Sequence, residues 1–230
     1  MFWFVLFEFY IYGTALKILL FADIHGDWKA LARHMAVEAD YYVCAGDLTN
    51  FGRRLYEAGE VMKARGNKVK IIPGNHETAD QTAQFCERFG FEDFHGRAVQ
   101  VGSHRLAGLG YSSPTPFNTP GEFSEEEIAR RLSELSIATS AASPLILVCH
   151  CPPFQTSLDR MRQFRHGGST AVRDFLASRQ PEYFFCGHIH EAEGAAERLG
   201  ITKAMNVGKQ GYLLDLNPDL IRIDFPGAAN

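Results

Sequence analysis

The 230-residue chain has no run of about 20 apolar residues, the length that a membrane-spanning helix needs. The nearest approach is the apolar and aromatic stretch from Met1 to Tyr12, which Glu8 interrupts. That stretch also lacks the early Lys or Arg and the small residues of a cleavable signal, so neither a span nor export is expected. Residues 1–15 have three alternative readings: an extra edge strand, a hydrophobic contact surface, or a translation start assigned too far upstream. The last is favoured, because a strand-like run begins afresh at Leu16-Lys17-Ile18-Leu19-Leu20. An excess of positive charge is missing too. With 23 Lys and Arg against 27 Asp and Glu, the net charge is -4, which excludes a broad nucleic-acid surface but leaves a small phosphorylated substrate admissible. Cysteines are few, and the odd set of five has no regular spacing, so a secreted disulfide framework is not expected. Cys149 and Cys151 stand too close together for a zinc knuckle, and core packing in a reducing compartment, the cytoplasm, is the expected role of the thiols. Internal repeats, charge blocks and low-complexity linkers are also lacking, which leaves residues 16–230 as a single domain.

What is present is a pattern that occurs five times: a short β-branched or aromatic run, then a turn bearing a residue that can bind metal. Ile18 to Ala22 leads into Asp23-Ile24-His25, Tyr41 to Ala45 into Gly46-Asp47, and Val69 to Ile72 into Pro73-Gly74-Asn75-His76-Glu77. Leu145 to Cys149 leads into His150-Cys151-Pro152-Pro153, and Tyr183 to Cys186 into Gly187-His188-Ile189-His190. Apolar runs of this length, ended by Gly or Pro, read as strands buried on both faces. Helical patterns at Trp28 to Glu38 and Arg53 to Arg65 separate the first three runs, which predicts a mainly parallel sheet. Since open sheets of this kind bind ligands beyond the carboxyl ends of their strands, all five polar turns are expected on one edge. Further helices are predicted at about 79–89 and 124–138, the latter with Ser124 and Glu127 in the form of a capping box. Val99 to Leu109 and Lys203 to Phe225 read as antiparallel strands of a second sheet layer, with a hairpin turn at Asn217-Pro218-Asp219. The long irregular stretch from Gly110 to Gly121 is either a pocket border or an ordinary surface connection.

Asp23 and His25 lie two apart at a strand end, so both side chains can reach one cation, and His188 with His190 repeats that geometry. Imidazole and carboxylate donors together suit a first-row transition metal, with Mn2+ favoured and Fe, Zn, Ni or Co as alternatives. Asp47 has two oxygens with which to bridge a pair of cations, and Asn75 adds a neutral carbonyl oxygen. Each fragment taken alone reads as a turn or a hydrogen-bonded surface residue. Five of them at one edge are another matter, since clustered carboxylates and imidazoles would repel or go unsatisfied without a cation.

The order D-x-H, G-D, G-N-H-E, H and G-H-x-H, running from about Leu16 to Leu216, resembles the calcineurin-like metallophosphoesterases. Gly46 to Gly52, His150-Cys151-Pro152-Pro153 and Cys186 to Glu191 look closest to the small Icc-related phosphoesterases. The resemblance implies an α/β fold, a four-layer α-β-β-α sandwich of two mixed β-sheets flanked by helices. It assigns Asp23, His25 and His190 to one metal, Asn75, His150 and His188 to a second, and Asp47 to a bridge between them. The nucleophile would be a hydroxide that bridges the two metals, since a water shared by two cations loses its proton near neutral pH. His76 matches the histidine that approaches the scissile phosphate and protonates the leaving oxygen, a role suited to imidazole; its alternative is a structural histidine behind the ligands. One departure concerns this residue. Protein serine/threonine phosphatases of the superfamily carry Gly-Asp-x-x-Asp-Arg, whose second Asp orients the catalytic histidine, whereas this chain has Asn50 there and no charged partner for His76.

From Arg160 to Thr170 the chain is basic and glycine-rich, and Arg165 and His166 are candidates to grip a substrate phosphate, against the alternative of a solvated loop. The expected activity is hydrolysis of a phosphodiester or phosphomonoester, with diester preferred. A metal-dependent nuclease is one alternative, which the acidic balance disfavours. A non-catalytic interaction module, as in the retromer subunit of the same superfamily, is the other, and the complete ligand set argues against it. The sequence leaves open the oligomeric state and the substrate.

Overall fold

The structure is a computed structural model and describes residues 16–139 and 144–216. The amino-terminal stretch 1–15, the turn at 217–219 and the end of the run expected to reach Phe225 lie outside the described residues.

Strand β1 (Lys17–Phe21), helix α1 (Trp28–Ala36), strand β2 (Tyr41–Cys44), helix α2 (Leu55–Met62) and strand β3 (Val69–Ile71) follow in the predicted alternation. Helix α3 (Ala79–Phe89) then leads to the short strand β4 (Glu92–Asp93). After these come β5 (Arg97–Val101), β6 (His104–Leu109), α4 (Glu125–Ala138), β7 (Leu145–Cys149), α5 (Thr170–Arg179), β8 (Tyr183–Cys186), β9 (Ala196–Leu199), β10 (Thr202–Asn206) and β11 (Tyr212–Asp215). Five strands form one sheet in the order β11-β1-β2-β3-β4, and six form the other in the order β5-β6-β7-β8-β10-β9. Both sheets are mixed: β1 to β4 run parallel with β11 antiparallel at the edge, while β6, β7, β8 and β10 run parallel with β5 and β9 antiparallel.

Alternation along the strands explains the layering, since successive side chains of a strand point to opposite faces. Ile18 and Leu20 join Val43, Ile146, Val148 and Phe185 in the core between the sheets. Leu19 and Phe21 instead face Leu31, Met35 and Met62 of α1 and α2. On the far side, Leu145, Leu147 and Phe184 pack against Leu132 and Leu135 of α4 and Leu176 of α5. Three cores separate four layers, and the central strands β1, β2, β7 and β8 are almost wholly apolar because both of their faces are covered.

Several local expectations change. The second helix ends at Met62 and tightens into a 3-10 turn over Lys63–Lys68, where Gly66 adopts a positive φ of 51° and breaks the α-helical path. Ser124 caps α4 by accepting from the Glu127 amide, but the Glu127 carboxylate turns to Arg130 and Arg131 rather than closing the box. Complete capping boxes form instead between Thr78 and Gln81, at the start of α3, and between Thr156 and Asp159. Val99 to Leu109 does form the antiparallel pair β5–β6, yet the run from Lys203 divides: β10 joins the second sheet and β11 crosses to the first. Gly208 and Gly211, both at positive φ, turn the chain between them.

Candidate metal centre

The five polar turns meet where the carboxyl ends of the two sheets converge. They come from two sheets rather than one: β1, β2 and β3 supply Asp23, His25, Asp47, Asn75 and His76, while β7 and β8 supply His150, His188 and His190. Asp23, His25, Asp47 and His188 all adopt positive φ values, 55°, 48°, 55° and 70°. Non-glycine residues rarely do so, and such backbone strain gathers where function requires it. Two glycines let the turns approach. A Cβ on Gly46 would lie 2.6 Å from Gly74 Cα and 2.8 Å from His150 Nδ1, and one on Gly74 would collide with the Asp47 carboxylate and amide.

The donor atoms are held in definite orientations. His150 Nδ1 lies 2.8 Å from the Ala45 carbonyl, to which it can only donate, so Nε2 of the neutral ring is bare and faces Asn75 Oδ1 at 3.0 Å and Asp47 Oδ2 at 3.4 Å. His188 presents Nδ1 to the same Asn75 oxygen at 2.9 Å. Asn75 cannot flip, because its Nδ2 donates to Thr119 Oγ1 at 3.1 Å while that hydroxyl donates to Glu122. On the other side His25 Nε2 lies 3.0 Å from His190 Nε2 and 3.6 Å from Asp47 Oδ2, and His190 Nε2 lies 3.8 Å from Asp23 Oδ1. The ligand atoms of Asp23, His25 and His190 all fall within 4.8 Å of one another, as do those of Asp23, Asp47 and His150 and those of His25, Asp47 and His76. The two oxygens of Asp47 have different surroundings. Its Oδ1 accepts from the His76 amide at 2.9 Å, so Oδ2 alone faces both halves of the cluster.

Electrostatics follow from crowding these groups out of water. Burial raises Asp23 to about 6 against the opposing pull of His150. Burial would also raise Asp47, but the charge and hydrogen bond of His150, together with His25 and His76, carry it below the usual carboxylate range. Burial lowers His25 to about 4 and His188 to about 3. It would lower His150 as well, yet Asp47 lifts that ring to about 9, so a proton occupies the place between them that suits a cation. Two buried carboxylates, an amide oxygen and four imidazoles thus fit a divalent metal far better than they fit each other.

Glu77 and Thr119 carry structural duties that the sequence reading did not assign. The buried Glu77 carboxylate accepts from the amides of Asp47, Thr49 and Gly74 and from the Thr49 hydroxyl, which binds the β2 and β3 turns to one another. Burial, then the nearby Asp47, raises it to about 7. Its place in Gly-Asn-His-Glu was the available signal. Thr119 had none beyond lying in the irregular 110–121 stretch.

His76 is oriented without a carboxylate partner: the Phe51 amide donates to its Nδ1 at 3.3 Å, and the Phe51 ring packs edge-on against it at 4.7 Å. A cleft of about 470 Å³ opens over these residues, walled by Ser113, Pro114, Pro116, Phe117, Met161 and Arg165. The 110–121 stretch is therefore a pocket border. Arg165 lines the cleft, whereas His166 does not; its Nδ1 lies 2.7 Å from buried Asp159, which also accepts from the Gln155, Thr156 and Gly168 amides and so fixes the loop. The Thr156-x-x-Asp159 spacing of a capping box could have pointed to Asp159. Among the described residues, a larger groove of about 830 Å³ between α4 and α5 has no histidine in its lining and none of the metal-ligating groups.

Comparison with known proteins agrees with this fold. The family model described as calcineurin-like phosphoesterase matches residues 16–192. Uncharacterized protein MJ1162 of Methanocaldococcus jannaschii is 28% identical over 221 residues, covering 91% of this chain and 96% of that protein. A probable cyclic nucleotide phosphodiesterase, RPA0124 of Rhodopseudomonas palustris, is 28% identical over 160 residues, which span 65% of this chain and 56% of that protein. Among solved structures, TT1561 of Thermus thermophilus superposes with a TM-score of 0.66 at 15% identity, covering 88% of this chain and 99% of that one. A dimetal phosphatase from Danio rerio does so with a TM-score of 0.52 at 13% identity, covering 82% and 86%. No helix among the described residues is long and apolar enough to cross a membrane. The family match over most of the chain, together with the Asp and His groups gathered at the sheet ends, means that this protein belongs to the calcineurin-like phosphoesterase family and is a metal-dependent hydrolase of phosphoester bonds.

Proposed function

We propose that the protein hydrolyses a small phosphoester, a diester in preference to a monoester, with two divalent cations held between Asp23, His25, His190 and Asp47 on one side and Asn75, His150, His188 and Asp47 on the other. The observation that carries the two-cation reading is the position of Asp47 Oδ2, 3.6 Å from His25 Nε2 and 3.4 Å from His150 Nε2, with Oδ1 committed elsewhere. When bound, such cations offset charge on the phosphoryl oxygens and acidify a water to serve as nucleophile. Imidazole-rich donors favour Mn2+, with Fe, Zn, Ni or Co as alternatives.

The chain's own residues do the rest. His76 has Nδ1 occupied by the Phe51 amide, so its neutral ring carries the proton on Nε2 and is set to donate to a leaving oxygen. Arg165 in the cleft wall contributes a guanidinium to the bound phosphate, while His166 steadies the loop through Asp159. The diester preference draws support from the relative described as a probable cyclic nucleotide phosphodiesterase. The five buried free thiols suit a reducing compartment, the cytoplasm.

The decisive experiment joins metal analysis of the purified protein to Mn2+-dependent turnover of bis-p-nitrophenyl phosphate and p-nitrophenyl phosphate. Two equivalents of metal, activity abolished by chelation, and a higher kcat/KM for the diester are expected. A protein that takes up one equivalent and is fully active defeats the two-cation reading, and faster monoester turnover reverses the substrate preference.

A further inference from the structure

Asn50 stands where the protein phosphatases carry the Asp that orients their catalytic histidine, yet in this structure its side-chain hydrogen bonds go to His25 and not to His76. Its side chain reaches across to His25. Nδ2 donates to the His25 carbonyl at 3.1 Å, and Oδ1 lies 3.0 Å from His25 Nδ1. The first contact determines the second. A carbonyl oxygen accepts and never donates, so the amide must turn its NH2 group toward the His25 backbone, which leaves Oδ1 facing the ring. An amide oxygen accepts only, so His25 must carry its proton on Nδ1. In the neutral ring Nε2 is then bare, and Nε2 is the atom 3.6 Å from Asp47 Oδ2 and 3.0 Å from His190 Nε2.

The turn that presents Asn50 is fixed on both sides. The Thr49 amide and hydroxyl both donate to Glu77 at 2.8 Å, and the Phe51 amide donates to His76 Nδ1. The His25 and Gly26 amides donate to the Asp47 and Leu48 carbonyls, each at 3.0 Å, so the two turns move as one piece. His25 needs this support, because its backbone sits at a φ of 48° and its ring meets its neighbours His76 and His190 only edge to face.

We propose that Asn50 is a positioning residue for the metal ligand His25: its amide fixes the ring in the Nδ1–H tautomer and aims Nε2 into the cation site. This rests on the two-cation reading above. Orientation of a ligating imidazole by a hydrogen bond to its other nitrogen alters metal affinity by about 10- to 100-fold. The role differs from that of an Asp at this position, since a neutral amide contributes both a donor and an acceptor and adds no charge to the site.

Asn50 is exposed, so Asn50→Ala can be made without opening the core. Two measurements on the full chain test the proposal, neither of which depends on turnover. Nitrogen-15 imidazole spectra of the metal-free protein should show His25 as the Nδ1–H tautomer, and the variant should lose that preference. Titration of metal-free protein with Mn2+ should show affinity at one of the two sites lowered about 10- to 100-fold in the variant, the other site changing less. The thermal midpoint of the metal-free variant should match wild type, which separates positioning from a general loss of structure. An unchanged tautomer, or unchanged Mn2+ affinity at both sites, overturns the role of Asn50 while leaving the metal centre intact. Failure of the wild type itself to bind Mn2+ overturns the two-cation reading, and the proposal with it.

Discussion

His76 combines three contacts that define its chemistry: its amide donates to Asp47 Oδ1, its Nδ1 accepts from the Phe51 amide, and its ring lies against those of Phe51 and His25. A backbone amide does the orienting that a side-chain carboxylate does in the protein phosphatases. With the proton on Nε2 the neutral ring is a donor rather than a ligand. Replacing His76 with Ala is therefore expected to lower kcat by about 100- to 10,000-fold while Mn2+ content stays at the wild-type level. Metal content falling in step with activity would make His76 a ligand instead. Thr119 acts on the other side of the site, where its hydroxyl accepts from Asn75 Nδ2 and so aims Asn75 Oδ1 at His150 and His188. Thr119→Val keeps the shape and removes the acceptor. It is expected to weaken Mn2+ binding about tenfold at the Asn75 site, as measured by calorimetric titration.

At the scale of elements, the site depends on how closely the turns after β2 and β3 can approach, and this is set by Gly46 and Gly74 together with the buried carboxylate of Glu77. Gly74→Ala places a methyl group against the Asp47 carboxylate, the group that both halves of the cluster share. Loss of metal from both sites is the expected outcome, with a stability cost of about 1–3 kcal/mol as in other overpacked positions. A variant that retains full metal content by elemental analysis would show that the turns can part without cost. The strands behind these turns were legible because their apolar runs end abruptly, at Asp23, Gly46, Pro73, His150 and Gly187, and all five turns with candidate ligands sit where the runs stop. Which sheet each strand joins was not legible. Periodicity reports the burial of a strand and not its neighbour, so β10 and β11, which lie in one run read as part of a single second layer, belong to different sheets. The contacts of Thr119 and Phe51 were hidden for a related reason: each depends on a loop crossing to a distant turn, and no local spacing encodes that, whereas Asp159 had a local signal in its capping-box spacing from Thr156.

On the scale of the whole molecule, two sheets bring seven candidate ligands together at a cost that a cation would relieve, and that cost depends on pH. In the metal-free protein His150 is lifted to about 9, against 6.5 for a free imidazole: burial opposes the shift and Asp47 more than offsets it. A group whose folded value is raised contributes stability in full below its unfolded value, and the contribution disappears as pH rises through the folded value. For His150 that window runs from about 6.5 to about 9. Glu77, raised to about 7 by burial and then by Asp47, adds a loss of the same sign up to neutrality. His25 and His188, lowered to about 4 and about 3 chiefly by burial, act in the opposite sense, but their gain is complete once pH exceeds about 6.5. Only the loss remains between pH 7 and 9. A cation held by His150 as proposed would displace that proton and needs deprotonated ligands, so its binding is expected to grow stronger over the same interval. The thermal midpoint of chelated protein is therefore expected to fall from pH 7 to pH 9, while the increment gained on adding Mn2+ widens. Parallel melting curves for the two forms across that range would mean that the His150–Asp47 proton is not what the metal replaces.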